Sequence, residues 1–147
     1  VMGHTADGYK WHDDANSTNM TLYHSPSMKD RPFAMGSMKA RCENRDGNAI
    51  LCAGQRVKEE TSTPMSQKLM IVFSDGSPAA IGYGGSRGIE HTGKCVRSLE
   101  AKGWSVIQVE FGGAHYQERM FKNHCYVNDV NDMANTISKI IRKVIKI

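Results

Sequence analysis

The sequence predicts an α/β fold: a doubly wound, mostly parallel sheet with helices on both faces. Three observations point there. Lys68 to Ser74 carries an unbroken apolar run (Leu69, Met70, Ile71, Val72, Phe73) that stops at Asp75, Gly76 and Pro78. A short apolar run without alternation, bounded by turn residues, is how a strand buried on both faces reads. Trp104 to Phe111, WSVIQVEF, reads as a second buried strand. The segments around these two runs have helical periodicity, and strands alternating with helices imply a parallel sheet.

Taken in order, residues 6–36 are polar and irregular, with Asp, Asn, Ser, His and two prolines, and read as a long insertion or loop. Asp46 can cap a helix running to about Glu60, with Ile50, Ala53 and Val57 on one face. The strand at Lys68–Ser74 follows. A glycine-rich loop spans Ile81 to Gly88, and a helix runs from about Ile89 to Lys102, where Gly103 ends it. After the strand at Trp104 come a short helix near Tyr116 to Phe121 and a small strand at Cys125 to Val127. The last helix starts at Asp129 and runs to the end. Its stripe of Ile137, Ile140, Ile141, Val144 and Ile145 packs on the sheet, while Lys139, Arg142, Lys143 and Lys146 face solvent. The 147 residues fit one domain, 1–147.

Composition narrows the function classes. The chain is 39% hydrophobic and 23% charged, an ordinary globular balance. Cys42, Cys52, Cys95 and Cys125 are scattered with no Cys-x-x-Cys pair, which predicts free thiols in a reducing compartment and a cytoplasmic location. No segment is long or apolar enough to span a membrane, and no signal-peptide pattern opens the chain. A net charge of +4, with no aromatic residues interleaving the basic ones, argues against nucleic acid as the partner.

Asp75 is the leading candidate for chemistry. Ligands of open α/β sheets gather outside the carboxyl ends of the strands. A carboxylate there, followed by glycine at a sharp turn, suits a small hard cation. The plainer alternative is that Asp75 only caps the turn. Other motifs fall short. Gly82 to Gly88 lacks the third glycine of a dinucleotide fingerprint, where Arg87 stands, and Gly93-Lys94-Cys95 lacks the Ser/Thr of a P-loop. The six histidines form no His-Glu-x-x-His, and His124 and Cys125 point to opposite faces of a strand. No Gly-x-Ser-x-Gly elbow is present, so covalent catalysis gains little support.

The order of Glu43 to Ala53, Lys68 to Pro78 and Val106 to Gly112 resembles the von Willebrand factor A fold, and more narrowly the A domain of the CobT-type subunit of aerobic cobaltochelatase. In that family a helix opens Asn-x-Asp-Gly-x-Ala, a strand ends Ser-Asp-Gly-x-Pro, and a later strand leads to Gly-x-x-His. Here Asn44 to Ala49, Ser74 to Pro78, and Gly112 to His115 correspond. Val1 to Thr5 is similar to the strand that precedes the family's polar insertion. The resemblance therefore implies a Rossmann-like A-domain fold, incomplete at the amino end, where the first strand and its Asp-x-Ser-x-Ser have no counterpart.

The resemblance further implies a metal-ion-dependent adhesion site holding Mg²⁺ or another divalent cation. Asp75 corresponds to the third-loop aspartate and Asn44 to the second-loop oxygen ligand, with Asp46 two residues on. Gly76, Ser77 and His115 would face a protein partner. The implied function is that of a non-catalytic chelatase subunit joining an AAA+ ATPase subunit and a large subunit that inserts metal into a tetrapyrrole. The alternative is a generic A-domain adaptor, viral or regulatory, unconnected with cobalamin. An enzyme in its own right stands third.

Overall fold

A computed structural model describes residues 1–6, 18–25, 34–38, 43–61, 67–112 and 117–145. His115 lies outside them. The described elements are β1 (Met2–Ala6), β2 (Thr18–Leu22), α1 (Asp46–Glu60), β3 (Lys68–Ser74), α2 (Gly85–Glu100), β4 (Trp104–Glu110), α3 (Gln117–Met120), β5 (Asn123–Tyr126) and α4 (Met133–Ile145). Short 3₁₀ turns occupy Ala34–Ser37 and Val130–Asp132.

The architecture is mixed α/β. Three strands form a parallel sheet in the order β3-β4-β5, with Lys68 opposite Trp104 and Ile107 opposite Asn123. The apolar runs explain it, because β4 lies between two strands and Val106 to Glu110 are all buried. On one face Val106, Met70, Val72 and Trp104 pack with Ile50 of α1 and Ile89, Val96 and Leu99 of α2. Met120 and Phe121, from α3 and just beyond it, complete that core. Alternation turns Ile107 and Val109 to the other face, where α4 packs on β4 and β5. Among the described residues no helix is long and apolar enough to cross a membrane.

The last helix begins at Met133 rather than Asp129, after a 3₁₀ turn, and the small strand is Asn123–Tyr126 rather than Cys125 to Val127. Two further expectations need correcting. Residues 6–36 were expected to lack regular structure, yet Thr18–Leu22 is a strand pairing antiparallel with β1 in a separate two-stranded sheet. Met20 and Leu22 turn inward while Asn19 and Thr21 face solvent, a period of two that the polar residues disguise. The second correction concerns α2, which begins at Gly85 rather than Ile89, so half of the expected glycine-rich loop is the helix's first turn. Gly88 fits there because a Cβ would collide with the carbonyl oxygen of Tyr83.

Candidate functional site

Where β3 ends, the backbone turns sharply. Gly76 adopts φ +85°, which glycine tolerates best. A Cβ there would also sit 2.7 Å from the carboxyl carbon of Glu110, the fully buried last residue of β4. The Ser74 hydroxyl accepts from Gly76 N–H at 2.9 Å, and an Asp75 carboxylate oxygen accepts from Ser77 N–H at 3.1 Å. Asp75 thus does cap its turn, and its side chain remains exposed at the strand's carboxyl end.

The segment before α1 is laid alongside this turn. Asn44 N–H donates to the Ala79 carbonyl at 2.9 Å, and Ala79 N–H returns a bond to the Asn44 amide oxygen at 2.8 Å. The Asn44 amide nitrogen donates to the Ser77 carbonyl at 3.2 Å and to Asp46 Oδ1 at 3.1 Å. One side chain therefore ties both segments together, and the oxygen expected to meet a cation is already accepting a backbone hydrogen bond.

Asp46 is the buried member of the site. It is the first residue of α1, with Arg45 at the N-cap position, and is 5% exposed. His4 Nε2 of β1 lies 3.4 Å from Asp46 Oδ1. Burial pushes the Asp46 carboxyl above its ordinary value, His4 and the Asn44 hydrogen bond pull the other way, and the nearby charge of Asp75 raises it again. The fold thus brings Asn44, Asp46, Asp75, Gly76 and Ser77 to one edge of the sheet.

As a cation site this edge offers two carboxylates, of which Asp75 lies close enough to disfavour the ionisation of Asp46, an effect a bound divalent ion would relieve. Among the described residues no group of three or more His, Cys, Asp or Glu is arranged around one point. A hard cation held by Asp46 and Asp75 would complete its shell with water, as Mg²⁺ commonly does.

Sequence reasoning missed several residues here. His4 reaches the site from β1. Tyr83, within the glycine-rich stretch, is 5% exposed and accepts from Gly47 N–H at 3.2 Å. In the interior of the sheet Gln108 is fully buried, and among the described residues neither of its amide atoms has a hydrogen-bond partner. The only signals for these were a tyrosine among glycines and polar residues inside an apolar strand. Cys52, Cys95 and Cys125 are free thiols, as their spacing suggested, and burial pushes the Cys95 and Cys125 thiols up, away from the reactive thiolate.

The chain is similar to a protein of Bacillus subtilis (strain 168) described as the uncharacterized protein YojO, with 29% identity over 131 residues. The match covers 84% of this chain and 20% of that protein, so the chain spans about a fifth of its relative's length. No family model matches the chain, and no solved structure matches it.

Proposed function

We propose that this chain is a von Willebrand factor A-type partner-binding module that engages its partner through a divalent cation held by Asp46 and Asp75. Within that class we propose the role of a companion subunit to an AAA+ ATPase in a cobaltochelatase-type assembly. The observation that carries the reading is the convergence of Asn44, Asp46 and Asp75–Ser77, thirty residues apart in sequence, at the carboxyl edge of a parallel sheet. That is the edge where ligands of open α/β sheets bind.

Chemically, the cation would bridge these carboxylates to an acidic side chain of the partner. Asp46, already oriented by Asn44 and His4, supplies the fixed ligand. Asp75, exposed and adjacent to Ser77, supplies the outward one. No covalent step is involved.

The test has two arms. Electron paramagnetic resonance of free Mn²⁺ should show binding to this chain that Asp75→Ala weakens at least tenfold. Immobilised ATPase subunit of a cobaltochelatase should retain the chain in Mg²⁺ and release it in EDTA. Absence of Mn²⁺ binding would sink the cation reading. Mn²⁺ binding without ATPase capture would instead favour the generic adaptor.

A further inference from the structure

We infer that Tyr83 is the positioning residue of this site, holding the first turn of α1, and with it Asp46, against α2; the inference rests on the cation reading above. The first turn of a helix leaves backbone N–H groups without intrahelical partners. At α1 no side chain at the N-cap position supplies one. Gly47 N–H instead donates to the hydroxyl of Tyr83, 36 residues away in sequence.

That hydroxyl is fully used. Its oxygen lies 2.7 Å from Nδ1 of His91 and 3.2 Å from the Thr92 hydroxyl, both on α2. A phenol offers one proton and two lone pairs. Gly47 N–H fills one lone pair, and of the contacts to His91 and Thr92 one takes the phenol proton while the other fills the second lone pair. One atom therefore joins the start of α1 to the second turn of α2. The ring is fixed as well: the Arg45 guanidinium lies 5.0 Å over its face, and the His91 ring meets its edge with centroids 5.3 Å apart.

The neighbouring contacts show why this matters for the site. Glu43 accepts from Ile81 N–H at 2.9 Å, Arg45 donates to the Ile81 carbonyl at 2.7 Å, and Gly47 donates to Tyr83. Alternate residues of this short stretch thus grip the turn that carries Tyr83, and the residues between them, Asn44 and Asp46, are the site residues. Gly47 permits the grip, since a Cβ there would stand 2.6 Å from His91 Nδ1 and 2.7 Å from the Tyr83 hydroxyl.

Tyr83→Phe deletes the hydroxyl and keeps the ring. It should lower Mn²⁺ affinity about tenfold, the size expected for losing one buried hydrogen bond with its partners left unsatisfied. Ile107→Val, a core change on the opposite face of the sheet from α1 and α2, serves as the control: it should lower the melting temperature and leave Mn²⁺ affinity unchanged. In the same samples, the amide resonances of Asn44, Arg45, Asp46 and Gly47 should move in Tyr83→Phe and stay in place in Ile107→Val. Equal losses of affinity in both variants, or unchanged affinity in Tyr83→Phe, would overturn the positioning role. If the wild-type chain binds no Mn²⁺, the cation reading fails by itself, and unmoved Asn44–Gly47 resonances in Tyr83→Phe would then overturn the positioning role independently.

Discussion

Asp46 faces opposed demands at the residue scale. Burial disfavours its ionised form, and Asp75 adds to that, while His4 and Asn44 favour ionisation. The net effect raises its folded-state pKa above the ordinary 3.8. The folded chain therefore holds a proton on Asp46 at pH values where the unfolded chain has released it, so this residue's contribution to stability falls as pH rises from 3.8 through the folded pKa. At neutral pH the bare carboxylate costs stability, and a bound cation would remove that cost. Asp46→Asn keeps an oxygen for the Asn44 hydrogen bond and removes the charge. By thermal melting at pH 7 without metal, it should raise the melting temperature by about 3 °C, roughly the shift that 1 kcal/mol produces in a chain of this size. The gain should vanish near pH 3.5, where both variants are neutral, and the same variant should lose Mn²⁺ binding. A drop in melting temperature at pH 7 would show that the His4 attraction outweighs burial. Asp75 and Asn44 were legible in the sequence as candidates because short motifs carry them. His4 and Tyr83 were not, because their roles depend on contacts across 42 and 36 positions of chain, and neither lies in a motif.

The elements were legible in proportion to their apolar periodicity. β3 coincides with the expected Lys68–Ser74, and β4 ends one residue before the expected Phe111, because segments rich in apolar and β-branched residues between turn signals leave little choice of boundary. β2 was hidden by threonine and asparagine on its solvent face, and the start of α2 by glycines whose low helical propensity reads as loop. β3 also carries an unusual burden. It is the outer strand of its sheet among the described residues, although its sequence is that of a central one. Phe73 is 55% exposed, stacked on Phe111 with centroids 6.3 Å apart. A flat apolar edge strand with no proline or inward charge is an aggregation hazard. Phe73→Lys places a charge where little burial is lost, so its stability cost should stay within about 1 kcal/mol. Light scattering during heating should show markedly less aggregate than wild type at equal concentration. Scattering that is unchanged would place the aggregation-prone surface elsewhere.

Across the whole molecule, the arrangement of the two sheets follows from non-local pairings that no sequence window contains. The β1–β2 hairpin is joined to the rest through Ala6 N–H donating to the Glu43 carbonyl, through Thr5 donating to the same oxygen, and through His4 at Asp46. Asn44 continues the connection to Ala79. Among the described residues each hairpin strand pairs with one other strand, and within the two strands only Ala6 is buried. β4, in contrast, has a partner on each side and five consecutive buried residues. α4 has no buried residue. Local opening costs least where few apolar contacts and exposed backbone bonds hold a segment. Hydrogen exchange by mass spectrometry should therefore find β4 amides slowest, with the hairpin and α4 exchanging first. Because His4 of β1 lies at Asp46 and its neighbours Thr5 and Ala6 bond the adjoining Glu43, Mg²⁺ should slow β1 amides while leaving those of α4 unchanged. Slowing confined to α4, or the same rate throughout the chain, would contradict both the hierarchy and the route by which the hairpin reports on the site.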